Sequence, residues 1–297
     1  MGTLGAALNG VLLLSAIYAL LSLGLVLIFR ATRVLNFAAG AIGLVGAYLV
    51  YELSTIFGSF YPALVVGIVV AIAFGALIYL GVLSPISGAR ASIGASTDVG
   101  VVLGTIILAE LLIAAVPFFA GSRGRPVDVP LPAWQWSAGG LTISSLQIVA
   151  FVLMIAVVVG VAVGLRRSPL GLRMRAAADS PRLARLNGIS TREVATVTWA
   201  LSALVSMLGV LLYATSTDLQ PASAAGLGAA LFPALLLGGL DSIGGCILGS
   251  IVLALVQSFS AVYLGGEWMA VSPYIFLLLV LIVRPQGFFG KAEFSRL

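Results

Sequence analysis

Nine apolar runs, at about 9–29, 36–57, 62–83, 98–120, 146–165, 194–215, 229–240, 244–264 and 271–284, alternate with short connections that hold most of the charge. A helix needs roughly 20 apolar residues to cross a bilayer, whereas barrel strands read as segments of about ten alternating residues. The pattern therefore predicts spanning helices. The seventh and ninth runs fall short of a full crossing. Pro233 interrupts the seventh, and Gly238, Gly239, Gly244 and Gly245 surround its end. They read as half-helices or re-entrant segments, which survive at membrane depth only when buried in protein or lining a cavity. The expected fold is an all-α polytopic membrane protein of eight or nine transmembrane helices, one or more of them broken or re-entrant. It forms a single transmembrane domain over 1–297. The first run, Leu4 to Phe29, exceeds the apolar core of a cleavable signal and follows no cationic region, so it reads as the first membrane helix.

Composition agrees: 61% of the 297 residues are hydrophobic and 8% charged, against about 25% charged in soluble domains. The lone Cys246 excludes an intrachain disulfide, and a chain without histidine holds no cysteine–histidine metal motif.

Charge adds orientation. With 166–193 placed in the cytoplasm, Arg30, Arg33, Arg90, the arginines from Arg166 to Arg192, Arg284, Lys291 and Arg296 all fall inside, and only Arg123 and Arg125 fall outside. That asymmetry follows the positive-inside rule. It predicts an outside N-terminus, a cytoplasmic C-terminus, an odd number of crossings, and Trp134 and Trp136 near the outer interface.

The stretch RRSPLGLRMRAAADSPRLARLNGIS, 166–190, holds six of the fifteen basic residues. One arginine at the centre of a membrane helix costs roughly 2.5–3.5 kcal/mol, so this segment stays in water. Ser168-Pro169 and Ser180-Pro181 each set an N-cap serine before a proline in the first turn. Gly188 is a helix stop, and Ser190 with Glu193 makes a capping box for the next span. Two short helices are expected, about 169–179 and 181–187. On the second, Leu183 and Leu186 share one face while Arg182 and Arg185 share another. A simpler reading is that these arginines fix topology or touch anionic headgroups, although one or two would fix topology. A capped hairpin with apolar anchors fits docking into a partner's groove.

Within the membrane, NFAAGAIGLVGA (36–47) and GGLDSIGGCILG (238–249) allow backbones to approach closely, for packing or beside a pathway. Glu110 lies near the middle of the fourth run, where a carboxylate is expected to face the bundle interior. It could line a path, couple to protons or bond structurally. No P-loop is possible, because the sole lysine, Lys291, precedes Ala292. With no histidine base, enzymatic activity is not expected.

The segments NGVLLLSAIYALLSLGLVLIF, RVLNFAAGAIGLVGAYL, the basic loop, LLLGGLDSIGGCILGSIVLALVQ and LIVRPQGFFG resemble, in order, the permeases of branched-chain amino-acid ABC importers of the LivH type. The resemblance covers nearly the whole chain. It implies a cell-membrane importer subunit for branched-chain or related amino acids. Its implied partners are a second permease (LivM-like or a copy of this chain), two cytoplasmic ATPases, an extracytoplasmic binding protein and membrane lipid, with no nucleic acid. ATP and Mg would sit on the partner ATPases, leaving no cofactor in this chain. Pro169, Gly171, Arg173, Arg175, Ala176, Asp179, Pro181, Ala184 and Gly188 match the family's loop, and with Arg182, Leu183, Arg185 and Leu186 they would form the ATPase-coupling surface. Asn36, Phe37, Gly40 and Gly46 match its second-helix motif and, with Glu110, are the pathway candidates. Where the family often carries histidine and glutamate, this chain has Ala39 and Ala41. The competing readings are a stand-alone channel or secondary transporter for a small neutral solute such as urea or an amide, and a structural scaffold.

Overall fold

The computed structural model describes residues 2–86, 97–121, 123–138 and 140–283. The chain is an all-α polytopic membrane protein in its spanning part. A short helix α1 (Gly2–Leu8) is followed by α2 (Val11–Thr32), α3 (Ala39–Phe57), α4 (Phe60–Ile78), α5 (Thr97–Ala120) and α6 (Ser145–Arg167). After these come α7 (Pro169–Asp179), α8 (Pro181–Leu186), α9 (Thr191–Ala214), α10 (Pro221–Gly238), α11 (Ile243–Tyr263) and α12 (Trp268–Val283). Among the described residues seven segments are long and apolar enough to cross a membrane. The 16-residue α12 is shorter than a full crossing.

Several boundaries differ from the sequence expectation. The run expected at 229–240 belongs to the 18-residue α10, which starts at Pro221. Its first six residues are Pro, Ala, Ser and Gly, too weakly apolar to register as a span, yet proline fits a first helical turn. The first run is divided: Gly10, at φ 80°, separates α1 from α2. A left-handed residue breaks the helix there, and glycine takes it without Cβ strain. The α4 helix ends in a π-helical turn, Tyr79–Leu83. A hairpin of β1 (Gln135–Ala138) and β2 (Leu141–Ser144) departs from the all-α expectation. Gly140, at φ 84°, lies in its turn. Trp134 and Trp136 are exposed there. Arg90, Arg284, Lys291 and Arg296 lie outside the described residues.

The chain sorts into two compact units, Met1–Ser22 with Pro130–Val158 and Ala230–Leu297, and Leu23–Val129 with Val159–Ala229. In the first, α1 packs on α11 and on β2. Asn9 Oδ1 accepts the Thr142 amide at 2.7 Å. Here α10 and α11 meet backbone to backbone: a Cβ on Gly245 would overlap the Gly238 carbonyl, and one on Gly249 the Ala234 carbonyl. The glycines of 238–249 thus act in close helix packing, as small residues do where lipid supplies no hydrophobic driving force.

In the second unit, α3 and α4 pack against α9 and against each other. Its core joins Ile28, Ala38, Ile42, Ile78, Leu83, Leu108 and Trp199. The contact is close because small residues line it. A Cβ on Gly43 would overlap the Ser206 carbonyl, and one on Gly75 would lie 2.5 Å from the Trp199 carbonyl oxygen. Tyr79, in the π-turn, stacks on Trp199 with ring centroids 6.3 Å apart.

Candidate functional site

The basic stretch folds as two short helices, α7 and α8, and their caps follow from its serines. Ser168 Oγ accepts the Gly171 amide at 3.4 Å, and Ser180 Oγ accepts the Leu183 amide at 3.3 Å. Pro169 and Pro181 occupy the first turns, where the missing N–H leaves no bond unmade. Gly188 ends α8 at φ 75°, and the Ile189 amide donates back to the Ala184 carbonyl at 3.0 Å. Such a left-handed stop uses carbonyls the helix leaves open. Ser190 Oγ then accepts the Glu193 amide at 3.2 Å, the side-chain-to-amide half of the expected capping box.

Both helices pack on α9. Gly171, Met174 and Ala177 form the buried face of α7, and Ala184 is the buried residue of α8. Gly171 is required by proximity, since a Cβ there would overlap the Leu165 carbonyl at the end of α6. Arg173, Arg175, Asp179, Pro181, Arg182 and Arg185 are exposed, and Ala176 is half-buried. The exposed apolar residues are Leu183 at 60% and Leu186 at 76%, joined by Leu172 at 62%. Sequence reasoning passed over Leu172. Its signal was its place one residue after the helix-facing Gly171, which turns it outward.

The NFAAG motif is a turn between α2 and α3. Asn36 is buried, and its Oδ1 accepts the Ala38 amide at 2.9 Å. This local bond makes an Asx turn. Because the oxygen takes that bond, the amide nitrogen is the other side-chain atom, and Nδ2 is buried without a partner. The Phe37 amide donates to Thr105 Oγ1 at 3.2 Å, tying the turn to α5. Thr105 was not foreseen; its only mark in the sequence was a hydroxyl amid the apolar residues between Val99 and Ala109. Gly40 is buried near the start of α3, and Gly46 lies against Met207 of α9. Glu110 is not gathered with these residues. It lies on the exposed face of α5, where the interior was expected. The opposite side of α5 is already filled by Thr105, Leu108, Ala109 and Val116.

Elsewhere in this unit Arg125 pairs with Glu52, donates to the Ala120 carbonyl and lies 5.2 Å from the centroid of the Tyr51 ring. Tyr48 Oη donates to the Leu219 carbonyl at 3.0 Å, and Leu219 and Arg125 exchange backbone bonds. These contacts fasten the connection after α5 to α3. No group of three or more acidic, cysteine or histidine residues able to hold a metal occurs among the described residues.

Comparison with known proteins relates the whole chain to membrane permeases. The chain is 28% identical to the high-affinity branched-chain amino acid transport system permease protein BraD of Pseudomonas aeruginosa, over 97% of this chain and 96% of that one. It is equally similar, with the same coverage, to the LivH permease protein of that system in Escherichia coli K12. A probable LivH permease of Methanocaldococcus jannaschii is 26% identical over 95% of this chain and 91% of its own. Among solved structures, PsaBC from Streptococcus pneumoniae in complex with Fab has a similar fold, with a TM-score of 0.51 and 13% identity over 96% of this chain and 93% of that chain. The family model described as "Branched-chain amino acid transport system / permease component" matches residues 7–283, so the chain belongs to this family of multi-pass membrane permeases.

Proposed function

We propose that this permease is the membrane-spanning subunit of an ATP-driven importer for branched-chain or related amino acids, and that the α7–α8 hairpin docks on cytoplasmic ATPases. The complex would comprise a second permease, LivM-like or a copy of this chain, two ATPases carrying ATP and Mg, and an extracytoplasmic binding protein. ATP hydrolysis would belong to those ATPases. In this arrangement the N-terminus is outside, the hairpin and C-terminus are cytoplasmic, and α10 and α12 both cross with the seven long spans, giving the odd number of crossings, nine, that this orientation requires.

The observation that carries this reading is the hairpin itself: capped, seated on α9, and presenting Leu172, Leu183 and Leu186 among exposed arginines. Three large apolar side chains on a water-borne hairpin gain by burial in a groove, and the arginines suit a polar rim. The packing also supplies a transmission route. A movement of α7 and α8 would displace α9, and α9 is interlocked with α3 through Gly43 and Gly46. The α3 helix begins at the Asn36 turn. Asn36 Nδ2 is a buried donor without a partner, a costly state that a passing solute carbonyl or carboxylate would relieve. We assign Asn36, Phe37, Gly40 and Gly46 to the pathway, with apolar walls and weak binding. The binding protein would then supply most of the selectivity.

The test replaces Arg182, Leu183 and Leu186 together and co-purifies the chain with its ATPases. Loss of association and of substrate-stimulated ATP hydrolysis is expected; full retention of both would refute the docking assignment. Robust solute flux through the chain alone in liposomes, without ATP, would favour a channel instead.

A further inference from the structure

Among the described residues, Glu110 is the only acidic or basic side chain near the middle of a spanning helix. It is the 14th of the 24 residues of α5. It shares one face with the exposed residues Val99, Leu103, Ile106, Ile107, Leu111 and Phe118, spaced at helical periodicity. No hydrogen bond or ion pair joins it to another described residue. The exposed faces of α4, with Val65, Val69 and Leu77, and of α6, with Val152, Ile155 and Val159, carry only apolar side chains along the middle of each helix. Those faces suit lipid. Lipid tails can neither accept nor donate a hydrogen bond, so a carboxyl at mid-depth belongs against protein or water. Large apolar residues one turn away on either side argue against water.

We propose that the Glu110 face of α5 is where the second permease subunit packs, and that this subunit presents a hydrogen-bond donor or a cation to the Glu110 carboxyl. The inference rests on the reading of the chain as one permease of a pair. Intramembrane carboxyls pair with such groups, and an interhelical polar contact fixes register where apolar packing alone is permissive.

The experiment places a photoreactive benzophenone residue at Ile107 or, as the lipid-facing control, at Val69, in the complete transporter in native membranes. Irradiation is expected to join Ile107 to the second permease and Val69 to lipid. Glu110→Leu is expected to lower recovery of the second permease with the tagged chain by about tenfold, while Glu110→Gln keeps most of it. An Ile107 adduct to lipid or to the binding protein alone, with ATPases still co-purifying, would overturn the assignment, as would wild-type recovery with Glu110→Leu. If neither a second permease nor an ATPase accompanies the wild-type chain, the importer reading falls along with it. The Ile107 arm keeps Glu110 in place and so does not depend on the fold of the Glu110 variants.

Discussion

The seating of the α7–α8 hairpin turns on Gly171. A Cβ at this position would overlap the carbonyl oxygen of Leu165 and crowd that residue's carbonyl carbon and Cα. These are backbone atoms at the end of α6, so no side-chain rotation relieves the clash. Gly171→Ala must push α7 away from α6 and α9, lifting Met174 and Ala177 out of their buried positions. Overpacking of this kind costs roughly 1–3 kcal/mol. At 1.4 kcal/mol per factor of ten, the open form of the hairpin becomes about 5 to 150 times more populated. Trypsin reads that population directly, because Arg173, Arg175, Arg182 and Arg185 all lie on the hairpin. They are cleaved when the helices open, and cleavage follows the open fraction when reclosing is fast. Gly171→Ala should therefore raise the rate of hairpin cleavage in the purified permease by the same factor. Leu172→Ala, at a 62% exposed neighbour, should leave it unchanged while weakening ATPase association. Wild-type cleavage of Gly171→Ala would refute the claim that close backbone packing seats the hairpin.

Other substitutions probe separate parts of the structure. Ser180→Ala removes the cap between α7 and α8, costs about 1 kcal/mol, and should raise tryptic cleavage of the hairpin roughly fivefold. Asn36→Asp keeps an oxygen for the Ala38 amide but removes the Nδ2 donor. Uptake by the intact transporter should fall at least tenfold while ATPases still co-purify, and unchanged uptake would remove Asn36 from the pathway. Gly245→Val drives a branched side chain into the Gly238 carbonyl, and roughly 1–3 kcal/mol of destabilisation should appear as a lower melting temperature in detergent. Arg125→Ala should shift that melt by less than about 1 kcal/mol, because the Arg125–Glu52 pair is partly exposed.

What the sequence made legible divides along a physical line. The hairpin was readable in detail because it lies in water, where serine before proline, a left-handed glycine and helical spacing each have one structural meaning. Its helices at Pro169–Asp179 and Pro181–Leu186 lie close to the expected 169–179 and 181–187. The spanning helices were readable as spans but not by face, because core and lipid are both apolar. On α5, Leu108 and Ile107 are chemically alike, yet one is buried and the other 69% exposed. A polar residue would ordinarily break that symmetry, and Glu110 was accordingly assigned to the interior. A single chain need not make the whole interior. For a subunit of a larger assembly the favourable surroundings of a carboxyl extend to a partner's surface, and α5 already fills its own inner side with Thr105, Leu108, Ala109 and Val116. Within one chain, then, a mid-membrane charge identifies a face that needs protein, and only the packing of its neighbours tells whose protein it is.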